Sequence, residues 1–260
     1  MLYSSFCKTL LVGGSLLGSA VAVPLFAYTL SQATSLRILP LGDSITYGFQ
    51  ESPGNSYRRF LQCCLSTSGI PVQYVGSHSN GDWENAENDG YISQEITKIG
   101  ESAAWILQQK PAPNVVLLHA GTNDILHSVD VAKAPERLGA LIDSVISATD
   151  ASVLVAQIIK LGEGYTEYNA ALEKYNAAIP AIVAARVSQG KNVAVVDLSD
   201  TVSASELVDG IHPVAAGYEK MAAALFTALQ DLPFNNVTGS FEDLGPTAVP
   251  SSGNCADLKA

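Results

Sequence analysis

The chain predicts an α/β fold, a three-layer αβα sandwich with helices on both faces of one parallel sheet. Three observations carry this: short runs rich in Leu and β-branched residues recur, a longer helix-like stretch follows each run, and nothing demands a second core. Continuous apolar runs of this kind are strands buried on both faces. Their alternation with helices builds right-handed βαβ units.

In order, the expected strands are residues 36–41, 72–76, 115–120, 152–159 and 193–198, five in all. The first reads Leu-Arg-Ile-Leu-Pro-Leu and the third Val-Val-Leu-Leu-His-Ala, and each stops at a glycine, Gly42 or Gly121. The expected helices are 57–66, 94–109, 135–148, 168–187 and 214–230, with Pro213 suited to starting the last. Residues 35–231 form the domain, and 232–260, rich in Pro, Gly, Ser and Asn and without period, read as an irregular tail.

At the other end Lys8 precedes an apolar run, 9–23, in which Ala20-Val21-Ala22 has the small-x-small form of a secretory cleavage site. Gly13, Gly14, Ser15, Gly18 and Ser19 interrupt that run, which falls short of the ~20 apolar residues of a membrane span. Residues 1–22 are therefore expected to be a cleaved signal peptide and 23–34 an N-terminal extension, which makes the product extracellular. Removing the leader takes away Lys8 and no acidic residue.

Lys and Arg number 14 against 25 Asp and Glu, a formal charge of -11, which excludes nucleic acid and anionic membrane as natural partners. With 47% hydrophobic and 15% charged residues, the chain is not disordered. A monomer with no cofactor is expected. Cys7 falls in the leader, leaving Cys63, Cys64 and Cys255. In an oxidising compartment the economical pairing is Cys255 with Cys63 or Cys64, and a vicinal Cys63–Cys64 bridge is disfavoured by geometry. Asn236-Val237-Thr238 is an acceptor triplet for N-glycosylation at Asn236.

The chemistry gathers in three segments: Gly42-Asp43-Ser44-Ile45-Thr46, Gly121-Thr122-Asn123-Asp124, and Asp209-Gly210-Ile211-His212-Pro213. In an open parallel sheet the ligand crevice lies beyond the carboxyl ends of the strands, where the first two sit. Ser44 directly follows the first strand, as a nucleophile or as the N-cap of a helix. Asp209 and His212, three residues apart, can set carboxylate beside imidazole, leaving Nε2 to face Ser44. Acyl transfer also needs donors for the oxyanion. The Ser44 N–H, the Asn123 amide and a backbone N–H in the loop 88–93 are the candidates, against an Asx-turn reading of Asn123.

These three blocks resemble the SGNH (GDSL-like) hydrolase superfamily over residues 38–229. Ser56-Tyr57-Arg58, the stretch 117–124, His212-Pro213 and Gly217-Tyr218 look most like its acetylxylan-esterase branch, carbohydrate esterase family three. The resemblance implies a flavodoxin-like sheet of order 2-1-3-4-5. It also implies Ser44 as nucleophile, His212 as general base, Asp209 as its partner, and an oxyanion hole of Ser44 N–H, Asn123 and one residue of the second block. That residue is Ser93 by spacing, at a place where the family usually has glycine, with Gly90 as the alternative. No Gly-x-Ser-x-Gly elbow is present, which disfavours an ordinary α/β-hydrolase.

The function expected is a secreted serine esterase acting on small acyl, foremost acetyl, esters of carbohydrate, a small molecule or a polysaccharide. Rivals are the same triad acting on lipid or aryl esters, in the manner of a lysophospholipase or thioesterase; a metal-dependent phosphoesterase built on Asp43, Asn123, Asp124, Asp209 and His212; and an inactive carbohydrate-binding protein. Two-metal sites want more His and carboxylate ligands than this chain offers, so no metal is expected. Trp105 is expected in the core, Trp83 at a rim, and His119 as a hydrogen-bonded packing residue.

Overall fold

The computed structural model describes residues 35–234. The expected leader and extension, most of the tail, Cys255 and Asn236 lie outside the described residues. Strand β1 (Leu36–Asp43) is buried along its whole length and splits its side chains between two cores. Leu36 and Ile38 join a core with helices α2 (Ser56–Thr67) and α7 (Ala215–Asp231), while Leu39 and Leu41 join a second with α3 (Ile96–Ala103), α5 (Ala134–Thr149) and α6 (Asn169–Val187). The period of two in a strand allows this, and each helix answers with a stripe at three- and four-residue spacing, as in Tyr218, Met221, Ala222, Leu225 and Leu229. Three layers result.

Strands β5 (Val115–His119), β6 (Ser152–Ala156) and β7 (Val193–Val196) run parallel beyond β1, and β2 (Val72–Tyr74) runs parallel on its other side. The five expected strands thus take the expected order. Two more were not expected: β4 (Glu87–Tyr91), parallel to β1, and β3 (His78–Ser79), antiparallel to β4. The stretch 88–93, expected as a loop, therefore begins as a strand. β4 reads Glu-Asn-Asp-Gly-Tyr and has no apolar period because its burial is polar: Asn88 Nδ2 donates to Asn80 Oδ1 (2.7 Å), and Asp89 Oδ1 accepts from Ser77 N (2.6 Å) and Ser77 Oγ (2.8 Å).

β2 and β4 share one edge of β1, pairing with Leu36–Ile38 and Leu41–Asp43 respectively. Ile38 O accepts from Val75 on that edge, so the alternation of a parallel ladder turns the Pro40 nitrogen, which has no proton to donate, to the gap between the two partners. A proline inside a central strand thus loses no ladder bond.

The expected helix 94–109 stops at Ala103 and continues only as a 3-10 turn, Ile106–Gln108. Ile96, Ile99, Ala103, Ile106 and Leu107 hold the buried stripe; Trp105 lies off it and is 62% exposed, against expectation. Trp83, expected at a rim, instead packs against the first core, donates to Gln62 Oε1 (2.7 Å) and carries the Arg58 guanidinium over its ring. Leu232 and Phe234, at the start of the expected tail, are fully buried in the same core. Pro213 stands ahead of α7 rather than in its first turn, which begins at Ala215. Cys63 and Cys64 are buried on α2.

Arg58 organises the loops beside β1. Fully buried, it donates to five backbone carbonyls, those of Thr46, Tyr47, Gly54, Asn80 and Ala86. Burial pushes its pKa down to about 10, yet it stays charged at neutral pH. Arg58→Met removes donors that the Asn80 and Asn88 amides replace only in part, at roughly 1–3 kcal/mol for each buried acceptor left unpaired. Chemical denaturation is expected to show a loss of ~3 kcal/mol or more; a variant as stable as the parent would mean that water takes over these carbonyls.

Candidate active site

β1 ends in Asp43, and the chain turns at once into the short helix α1 (Ser44–Tyr47). Asp43 is the cap: its Oδ1 accepts from Ile45 N at 3.0 Å. Ser44, released from that task, opens the helix with its N–H outside the helical ladder and its hydroxyl pointing to His212, whose Nε2 lies 2.8 Å from Ser44 Oγ. His212 Nδ1 lies 2.8 Å from Asp209 Oδ2. The two groups are 168 residues apart along the chain.

The turn that presents His212 is held from inside. Asp209 Oδ1 accepts from Ile211 N (3.0 Å) and His212 N (2.9 Å), Gly210 takes a φ of +81°, and Val208 N donates to His212 O (2.8 Å). Burial works to raise the Asp209 carboxyl, but the N–H groups of His212 and Ile211 and the His212 ring together hold it below its usual value. It stays an acceptor for the imidazole well into acid.

The oxyanion candidates divide. Asn123, second residue of α4 (Thr122–Leu126), lines the same cleft as Ser44; its amide donates one bond to Gln94 O (3.0 Å), leaving a second N–H. Ser93 also lines the cleft, and its N–H is not engaged by any described residue. Gly90 does not serve: its N–H donates to Asn88 Oδ1 (3.0 Å), and it lies in β4 beneath α1, where an added Cβ would stand 2.3 Å from Tyr47 N. Ser93 takes a φ of +60°, the conformation for which glycine is suited.

Other polar residues of these blocks are spent elsewhere. Asp124 accepts from Ile96 N (2.8 Å) and from Arg137 (2.7 and 3.0 Å), joining α4 to α3 and α5. His119 is 1% exposed, and neither ring nitrogen has a hydrogen-bond partner among the described residues. Its Nδ1 lies 3.6 Å from Asp43 Oδ1, so it packs against that carboxylate without bonding it, contrary to the hydrogen-bonded role expected. With Asp43 and Asp124 turned inward, the ligand set of a phosphoesterase does not converge, and no group of three His, Cys, Asp or Glu gathers among the described residues.

The cleft over Ser44 and His212 holds about 410 Å³. Phe49 lies edge-on to the His212 ring, with 5.1 Å between centroids. Ile92, Leu126 and Ile211 add apolar surface, and His127, bonded through Nδ1 to Glu95 Oε1 (2.7 Å), adds a polar rim. Tyr165 and Tyr168 complete it from the segment that follows β6. Sequence reasoning passed over these wall residues; the available signal was a tyrosine pair in a glycine-containing stretch at the carboxyl end of a strand.

A model of the GDSL-like lipase/acylhydrolase family matches residues 41–220. A multidomain esterase from Ruminococcus flavefaciens is 32% identical over 221 residues, which are 74% of this chain and 28% of that protein. The chain thus spans little more than a quarter of that relative. Among solved structures, a family 3 carbohydrate esterase from Clostridium thermocellum is 27% identical with a TM-score of 0.65, covering 75% of this chain and 94% of that one. A family 3 carbohydrate esterase from Talaromyces cellulolyticus shares the fold at 22% identity and a TM-score of 0.60, over 75% of this chain and 96% of that one.

The left-handed backbone at Ser93 costs a residue with a Cβ about 1–2 kcal/mol. Ser93→Gly keeps the backbone N–H and removes that strain, so the thermal midpoint is expected to rise by a few degrees. A midpoint that falls would show that the serine side chain itself holds this turn.

Proposed function

Residues 41–220 make the chain a member of the GDSL-like lipase/acylhydrolase family and this domain a carboxylic ester hydrolase, and from that premise we propose that the protein is a secreted serine esterase removing small acyl groups, acetyl foremost, from carbohydrate. The observation that carries the reading is the unbroken relay Asp209–His212–Ser44, 2.8 Å at each link. His212 Nε2 takes the Ser44 proton as Oγ attacks the ester carbonyl. The oxyanion settles among the N–H groups of Ser44, Ser93 and the Asn123 amide, where each donor typically contributes ~3 kcal/mol of barrier. His212 then passes its proton to the departing alcohol, and the same imidazole activates water to hydrolyse the acyl-enzyme.

Asp209 keeps the imidazole in the tautomer that leaves Nε2 unprotonated and facing Ser44. A cleft of about 410 Å³ suits a small acyl group, and the family 3 likeness supports a sugar as the alcohol. On acetylated xylan and on aryl esters of graded chain length, Ser44→Ala and His212→Ala are expected to lose ~10⁴-fold or more in kcat. Asp209→Asn is expected to lose less than either, on the order of 10⁴-fold against up to ~10⁶-fold, because the oxyanion donors and the serine–imidazole pair remain. Unchanged turnover in Ser44→Ala rejects the mechanism, while a preference for long acyl chains keeps the mechanism and moves the substrate to lipid. Export follows the same proposal: the N-terminus of the product collected from culture medium is expected at Val23, and a product that stays in the cells with Met1 intact overturns secretion.

A further inference from the structure

The mechanism assigns sides to the cleft. His212 Nε2 must hand its proton to the leaving oxygen, so the alcohol half of the ester departs past the imidazole, away from the oxyanion donors at Ser44 N and Asn123. Whatever flanks His212 therefore meets the alcohol. One flank is the stretch after β6, and it is fastened to the histidine turn: Gly162 N donates to Gly210 O (2.7 Å), and Gly210 packs so closely that an added Cβ would lie 2.3 Å from Glu163 O and 3.2 Å from the Tyr165 ring. Tyr165 is thus held in register with the turn that carries the catalytic base.

Tyr165 and Tyr168 are three residues apart across the 3-10 turn Thr166–Tyr168, a spacing at which side chains eclipse and face the same way. Both half-buried rings line the cleft with His212, centroids 6.5 Å apart and planes tilted by 36°. No described residue hydrogen-bonds either phenolic hydroxyl. Two rings on one side make a shelf with an apolar body and polar ends, at low entropic cost because each ring turns about only two torsions. A saturated sugar ring has the complementary make-up, with a C–H face to lie on the shelf and hydroxyls around its edge. An acyl chain would find the apolar surface here, but the proton delivery above places it on the other side.

We infer that Tyr165 and Tyr168 form a subsite for the pyranose ring of the departing alcohol. The inference rests on the carbohydrate reading proposed above and adds the residues that select the sugar.

The test compares two acetyl esters that differ only in the alcohol: acetylated xylo-oligosaccharide, and ethyl acetate, whose alcohol has no ring. The quantity read is the ratio of kcat/KM on the first to kcat/KM on the second. In Tyr165→Ala and Tyr168→Ala this ratio is expected to fall about three- to tenfold, the size of one aromatic contact, mainly through KM for the sugar ester. Tyr165→Phe and Tyr168→Phe, which keep the ring, are expected to recover most of it. A ratio unmoved in both alanine variants, whether turnover is preserved or lost equally on the two esters, overturns the subsite while the carbohydrate reading stands. A wild-type enzyme that hydrolyses ethyl acetate and no acetylated sugar overturns the carbohydrate reading and the subsite with it.

Discussion

One row of the sheet sets the level at which everything else is placed. Gly42 of β1 pairs with Gly90 of β4 on one side and with His119 of β5 on the other. There is no room at Gly42 for a side chain: a Cβ there would lie 2.2 Å from His119 O and 2.5 Å from Thr46 Oγ1. Ser44 stands two residues past this row, Ser93 three and Asn123 four, so register alone brings Ser44 and the two neighbouring candidate donors to one end of the sheet. A slip by one residue would turn every side chain of β1 to the opposite core, and two fully buried apolar clusters oppose that.

What the register does not supply is the histidine, which arrives from far along the chain on a turn outside the strands and helices. Its order comes from polar satisfaction: Asp209 uses one oxygen on two backbone N–H groups and the other on the imidazole. The neighbouring turn is closed the same way, with Ser203 and Glu206 capping each other and Lys220 of α7 reaching Glu206 at 2.7 Å. Arg58 does the equivalent on the Ser44 side, where a buried cation bonded to no carboxylate among the described residues is satisfied by carbonyl dipoles. Both walls of the site are therefore held by hydrogen bonds to backbone, which fix direction more narrowly than apolar packing does.

The same division explains what could be read from residues alone. The five parallel strands and their helices were legible because burial on both faces writes itself as apolar runs, and the three short blocks carried the chemistry in chain order. β4 was not legible, since Asn88 and Asp89 are buried for their hydrogen bonds and look like a loop. Trp105 misled because an aromatic inside a helical stretch resembles core, whereas the buried stripe passes on either side of it. Spacing put Ser93 ahead of Gly90 but kept Gly90 as an alternative; what separates them is a side-chain acceptor on Asn88 that already occupies the Gly90 N–H.

The wall residues escaped for a deeper reason. A nucleophile and its base must meet within a hydrogen-bond length, and few residue types at few positions satisfy that, so the floor of the cleft is heavily constrained. The walls have only to face a substrate, and Phe49, Ile92, Tyr165 and Tyr168 reach the cleft from three different segments. Nothing in a helix or strand period marks them. Substrate choice in such a fold therefore resides where pattern is weakest, on the segments leaving the strands, while the reaction resides where geometry is most restricted. The Gly162–Gly210 contact is what couples the two here: it ties a wall that can vary to the turn whose position cannot.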